Sequence, residues 1–224
     1  MQAVIAILYA LVVFKNFSQV NTKSRLRMGV LFGLIMLIRL NGIVFIFVTA
    51  FFSIFLNDYK KYEIVEFLSF WVKIFSTSIL TLFLGTPSLW QKPKLWFTES
   101  IKTQFNLYWD SYVLVNGSFS FAMDVDPLYL IKFLYFKLPI VFHIGVLIFI
   151  YLLINNKLYR DFKNNLPLSF SVYIILIFNF GFITFTPVAY DGIRQYLFLL
   201  PFLAIFLVEI LNTLNIKPFI KKGV

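Results

Sequence analysis

The stretch MGVLFGLIMLIRLNGIVFIFVTAFFSIFL, residues 28–56, decides the fold class. Its one ionisable side chain is Arg39. At a rise of about 1.5 Å per residue it exceeds what one bilayer-crossing helix needs, about 20 residues. Asn41 and Gly42 interrupt a helix, and an arginine at membrane depth is costly. The stretch therefore reads as two short helices meeting at a polar apex around residues 39–42. The alternative is one long tilted helix whose arginine snorkels to the interface.

Composition extends this reading to the whole chain. Hydrophobic residues make up 60%, aromatic residues 21% and charged residues 13%. Soluble domains carry about 25% charged residues, and their surface-to-volume ratio leaves too little interior to hide so much apolar area. The chain is expected to be a single all-α, polytopic transmembrane bundle over residues 1–224. Residues 1–14 read as a helix whose beginning is missing. Two helices flank the apex, and further spans are expected at residues 64–85, 139–155, 166–186 and 196–214. Residues 127–138 are expected to lie at the interface before Pro139. Together these make about seven membrane helices, some short or broken.

The net charge of +10 does not describe a nucleic-acid surface. Its residues lie in short runs between apolar spans, where they act as orientation signals. The runs at 15–27, 57–66, 156–165 and the C-terminal tail fall on one side if residues 28–56 go up and return. That side is read as cytoplasmic, in the cell membrane, with the C-terminus there. The apex at 39–42, the outer loop at 86–126 and the loop at 187–195 then share the outer face. The outer loop holds Trp90, Trp96 and Trp109. An amphipathic helix is expected at 94–108, a turn at Asn116-Gly117 and a helix start at Asp126-Pro127.

The chain has no cysteine and one histidine, His143. Disulfides and thiolate ligands are excluded, and no metal site is expected. No phosphate-binding loop, dinucleotide fingerprint or nucleophile elbow is present, so no cofactor is expected. His143, inside an apolar span, reads as a packed or hydrogen-bonded side chain before it reads as a proton relay. Glu209 is expected to pair within the bundle, and Asn179/Gly181 to mark a small-residue packing site.

The loop Pro187-Val-Ala-Tyr190-Asp191-Gly192-Ile-Arg194-Gln195 is the sharpest chemical feature. Arg194 has the planar fork that binds phosphate. Asp191 either orients Arg194 or accepts a sugar hydroxyl. The competing reading is an ordinary interfacial loop, with Tyr190 in the aromatic belt. Arg39 with Asn41 is a second candidate. Asp124 and Asp126 stand close enough in sequence for a carboxylate pair, but an aspartate before proline more often caps a helix.

Three stretches together resemble bacterial membrane glycosyltransferases of the GT-C type, close to glycosyltransferase family 39, the dolichyl-phosphate-mannose–protein mannosyltransferase-like enzymes. They are Gly29 through Gly42; Pro87-Ser-Leu-Trp90 through Trp109, Asn116-Gly117, Asp126-Pro127-Leu-Tyr129 and Lys137-Leu-Pro139; and Tyr190-Asp191-Gly192-Ile-Arg194-Gln195 through Pro201. The family carries a histidine where Gln195 stands. The resemblance covers most of residues 25–210. It implies transfer of a sugar from a polyprenyl-phosphate donor to an acceptor glycan, lipid or protein at the outer membrane face. It further implies an arginine at the donor phosphate and a carboxylate as general base. The family's acid lies in a first outer loop with no counterpart here, so the chain corresponds to the C-terminal part of the architecture and its catalytic residue is unassigned. Candidate substrate-binding residues are Arg39, Asn41, Asn116, Asp124, Tyr190, Asp191 and Arg194. Two other readings compete. One is a transporter or flippase using Arg39, His143 and Glu209, although no internal repeat supports it. The other is a noncatalytic membrane scaffold.

Overall fold

The computed structural model describes residues 1–16, 22–39, 42–55, 64–105, 110–115, 117–155, 165–185 and 194–214. The order is α1 (Gln2–Asn16), α2 (Thr22–Ile38), α3 (Ile43–Phe55), α4 (Ile64–Gly85), α5 (Pro87–Gln91) and α6 (Pro93–Phe105). Strands β1 (Tyr112–Val115) and β2 (Ser118–Phe121) follow. Then come α7 (Tyr129–Lys137), α8 (Ile140–Ile154), α9 (Leu166–Phe185), a 3-10 segment (Arg194–Leu199) and α10 (Leu200–Thr213). Three helical stretches are long and apolar enough to cross a membrane: Leu68–Gly85, Leu166–Phe185 and Tyr196–Thr213. The bent pair α7–α8 makes a fourth if counted as one span, and α1 is a shorter apolar helix.

The break expected at 39–42 separates α2 from α3. The Gly42 amide donates to the Arg39 carbonyl at 3.0 Å, a tight turn. A Cβ at Gly42 would lie 2.4 Å from Ile35 Cγ2, so only glycine lets the chain fold back on α2 there. The start of α2 corrects the sequence reading. The helix begins at Thr22 rather than near Met28, so Lys23, Arg25 and Arg27 belong to its first two turns. Arg25 is buried there, with its guanidinium 5.4 Å from the centre of the Phe70 ring on α4.

Helices α2 and α4 run parallel and nearly touch backbone to backbone. Gly29 faces Ile74 and Thr77, Gly33 faces Ser78 and Thr81, and Leu37 faces Gly85. A Cβ on Gly33 would lie 2.6 Å from Thr81 Cβ and 2.8 Å from the Ser78 carbonyl oxygen. Across this seam the threonine hydroxyls are already used. Thr77 donates to the Lys73 carbonyl at 2.6 Å and Thr81 to the Thr77 carbonyl at 2.8 Å. The seam is therefore a van der Waals contact between small groups, the kind that associates helices where hydrophobicity cannot. The sequence reading placed such a site at Asn179/Gly181 instead. That is corrected: a Cβ on Gly181 would meet nothing within 4 Å, and Asn179 donates to its own helix, to the Ile175 carbonyl at 2.7 Å.

Phe45 is the hub of the core. Its ring lies 6.2 Å from Tyr9, 6.1 Å from Phe178, 6.0 Å from Phe198 and 5.6 Å from Phe202. It thus joins α1, α3, α9, the 3-10 segment and α10. Thr49 donates to the Phe45 carbonyl at 2.8 Å, so Tyr9 must be the donor in its 2.6 Å bond to Thr49. Helices α9 and α10 run antiparallel. At one end Phe182 packs on Tyr196, 5.6 Å between centroids. At the other, Asn165 caps α9 by accepting the Leu168 amide at 3.1 Å and donates to Glu209 at 2.9 Å. Glu209 is paired as expected, and its carboxylate sits beside a helix N-terminus, where negative charge is favoured.

Pro139 divides α7 from α8, and the chain bends by 114° between them. Proline lacks the amide that would have bonded to the Tyr135 carbonyl four residues back. His143 replaces it: Nε2 lies 2.8 Å from that carbonyl oxygen, and the ring packs edge-on against the Tyr135 ring at 4.9 Å. Facing a carbonyl, Nε2 carries the proton. The expected hydrogen-bonded histidine is thus the strut of the bend.

The packing seam gives a paired expectation. Gly33→Ala should lower unfolding stability in mixed micelles by about 1–3 kcal/mol, the usual cost of overpacking. Gly181→Ala should stay within about 0.5 kcal/mol of the parent. Equal losses at the two positions would show that the seam is not what orders α2 and α4.

Candidate functional site

The packing brings one set of helix ends together. Phe45 meets Phe178 and Phe51 meets Tyr173 at 4.8 Å, so α3 and α9 are antiparallel. The start of α3 therefore lies near the end of α9. Tyr129, at the start of α7, packs 6.4 Å from Phe182. The turn after α2, the end of α4, the start of α7 and the 3-10 segment opened by Arg194 consequently share one end of the bundle. Arg39 is half-buried at that end. Of the other candidates, Asn41, Asn116, Tyr190 and Asp191 lie outside the described residues. Arg194 is described in its backbone, as the first residue of the 3-10 segment.

Between α4 and α7 the chain builds a corner. Thr86-Pro87 stops α4, and the Trp90 indole N–H donates to the Phe83 carbonyl, closing its last turn. Of the helix expected at 94–108, the structure describes α6 over Pro93–Phe105, with no buried residue among its described side chains and Lys102 3.4 Å from Glu99. Strands β1 and β2 form an antiparallel hairpin where the turn was expected, with Gly117 described and Asn116 outside the described residues. Tyr112 pairs with Phe121 and Val115 with Ser118, and Gly117 takes φ +84°, the left-handed region glycine enters freely. Among the described residues the hairpin is the one β element.

Asp126 holds the turn that leads into α7. Its Oδ1 accepts the Leu128 amide at 2.7 Å, and its Oδ2 accepts from the Lys132 ammonium. These two bonds, the lysine first, hold its carboxyl below the ordinary aspartate range. The expected cap is corrected: α7 begins at Tyr129 with Leu128 at its cap position, and Asp126 closes the turn ahead of it, with both carboxylate oxygens engaged by Leu128 and Lys132. The Asp124 side chain is exposed.

Between hairpin and helix lies a groove of about 820 Å³. The hairpin supplies residues 111–115 and Gly117, and α7 supplies Tyr129, Lys132, Phe133, Phe136 and Lys137. The walls are mostly apolar, and the charges are the two ammonium groups. Lys132 is shared with Asp126, while the Lys137 ammonium sits 5.9 Å from the centre of the Phe133 ring. Such a groove fits an anion carried on an apolar body. Sequence reasoning read residues 127–138, which carry Lys132 and Lys137, as an interfacial segment. What it lacked was the hairpin folding over them.

No protein-family model, no curated protein and no solved structure matches the chain. The fold and groove define a class and nothing narrower: a helical bundle with helices long and apolar enough to cross a membrane, and an apolar, lysine-bearing groove at one end. Two of the three residues proposed for a transporter are accounted for structurally, His143 by the Tyr135 carbonyl and Glu209 by Asn165.

The depressed Asp126 carboxyl carries a pH dependence with a definite sign. A lowered folded-state pKa stabilises the corner above the unfolded value, about 3.9, and this is lost as pH falls through the folded value. Following the Asp126 carboxyl by NMR should place its midpoint below that value, and Lys132→Ala should move it upward. A midpoint unmoved by Lys132→Ala would remove the ion pair from the account.

Proposed function

We propose that this chain belongs to a membrane glycosyltransferase that uses a polyprenyl-phosphate-linked sugar. The groove between the hairpin and α7 carries the proposal, because it combines apolar walls with the cations Lys132 and Lys137. That pairing matches a donor made of a sugar, a phosphate and a hydrocarbon chain. The resemblance of the Pro87–Pro139 and Tyr190–Pro201 stretches to GT-C enzymes supports the same reading.

The chemistry is a displacement at the anomeric carbon. An acceptor hydroxyl attacks, the bond from that carbon to the phosphate oxygen breaks, and the electron pair leaves with the phosphate. Charge accumulates on the phosphate as the bond lengthens, so ammonium groups placed there stabilise the transition state more than the ground state. Lys137 is the freer of the two, since Lys132 is shared with Asp126. Arg39 and Arg194, brought to the same end of the bundle, are further cations for the phosphate. The hydroxyl proton goes to a carboxylate, for which Asp124 and Asp191 are the candidates. The site opens on the outer membrane face, with the basic loops opposite it on the cytoplasmic side.

The test is transfer of radiolabelled sugar from polyprenyl-phosphate donors by membranes carrying the chain. A charge-assisted hydrogen bond contributes about 1.5–3 kcal/mol, so Lys137→Ala and Arg194→Ala should each slow transfer by roughly 10–100-fold. Inserted, folded protein that transfers nothing, or transfers equally well in both variants, would defeat the proposal.

A further inference from the structure

Arg25 is the only charged side chain buried among the described residues, with 6% of its surface exposed. Its guanidinium has the Phe70 ring for a neighbour. Nε is sealed without a hydrogen-bond partner, whereas the two terminal nitrogens are not sealed in that way. A buried charge is costly unless something pairs it. Among the described residues no carboxylate does so: Glu99 and Asp126 hold Lys102 and Lys132, and Glu209 accepts from Asn165.

A second cation stands at the same level. Lys73 is half-buried within the span Leu68–Gly85 of α4. The seam sets the register: Gly33 faces Ser78 and Thr81, Gly29 faces Ile74 and Thr77, and Arg25, one turn earlier, meets Phe70. Long side chains on a helix lean toward its N-terminus, and in parallel helices that is one direction. Arg25 and Lys73 therefore aim at the same end of the α2–α4 pair. The first turn of α2 holds no acidic residue, and its unpaired amides add partial positive charge there. Some four turns of α2 separate this end from Arg39 and the groove.

What is missing is an anion, and the surroundings select its kind. Leu68, Val72 and Phe75 are exposed on α4, and Leu26 and Val30 on α2. A free phosphate would have to leave water to lie beside hydrocarbon. A phospholipid presents phosphate and acyl chain together at that depth. We propose that Arg25 and Lys73 bind the phosphate of an anionic phospholipid at the end of the bundle opposite the groove, with its acyl chains along α4. The lipid supplies the counter-charge that lets an arginine sit inside the α2–α4 seam. The site is independent of the transferase reading.

Native mass spectrometry of the full chain in mild detergent tests this, with phosphatidylglycerol, phosphatidylcholine and inorganic phosphate as probes. Phosphatidylglycerol should be retained in preference to phosphatidylcholine, and excess inorganic phosphate should not displace it. Lys73→Gln and Arg25→Gln should each weaken its retention by roughly 5–10-fold. Arg27→Gln, which removes an exposed cation from the same stretch of α2, should leave it nearly unchanged. Lys73→Gln carries the test if Arg25→Gln does not fold. An equal loss in the Arg27 variant would mean a diffuse basic surface, and displacement by inorganic phosphate a site for free anions; either overturns the proposal. So does a parent protein with no preference between the two lipids, which would put the counter-charge within the chain. Glu66 would then be the first residue to replace, since it stands one turn before Phe70 in α4 and its side chain lies outside the described residues.

Discussion

Shape complementarity between small residues is the constraint on which this bundle rests. Its most apolar helices have no polar face: α8 runs Ile-Val-Phe-His-Ile-Gly-Val-Leu-Ile-Phe-Ile-Tyr-Leu-Leu-Ile. Among lipid chains, burying such a side chain against another helix gains little, because lipid is as apolar as leucine. Which helices meet must then be decided by close approach, aromatic fit and a few hydrogen bonds. Gly29 and Gly33 against Thr77 and Thr81 decide the first pairing. Phe45, fitted among four other rings, decides how α9, the 3-10 segment and α10 close over α3.

In a bilayer, interruptions of a helix favour hydrogen-bond closure, since an unpaired backbone group there has no water to turn to. Three breaks among the described residues carry their own remedy. Trp90 reaches back to the last turn of α4, Asn165 caps α9, and His143 stands in for the amide that Pro139 lacks. These remedies position the groove. Without the His143 strut, α7 would have no fixed angle to α8. Without the Asp126 bonds to Leu128 and Lys132, α7 would have no fixed start beneath the hairpin.

The interruptions were legible in the sequence because glycine, proline and asparagine act locally. Gly42 marked the apex, Pro139 the elbow, Asn116-Gly117 the hairpin and Asp126-Pro127 the start of α7. Partnership was not legible, because it depends on residues far apart in the chain. Gly181 reads like Gly33 when taken alone, and only the neighbouring helix tells them apart. The site divided along the same line. Arg39 and the segment opened by Arg194 were assigned to a common face, and the packing places them at one end of the bundle. The groove itself was missed, because Lys132 and Lys137 take on meaning only beneath a hairpin some fifteen residues upstream.

The parallel pairing of α2 with α4 bears on how the chain is built. Synthesis proceeds from the N-terminus, so α2 is complete before its partner exists. Its glycine seam must wait while α3 and residues 56–63 are made, and only then does α4 arrive. Parallel neighbours cannot be adjacent in sequence, so no shorter route was open. During that interval the seam is an unsatisfied groove in the nascent chain. The chain's own later helix is shaped to fill it, and so is any other small-faced helix that reaches it first. Insertion order, as much as final packing, therefore determines whether this bundle assembles with itself.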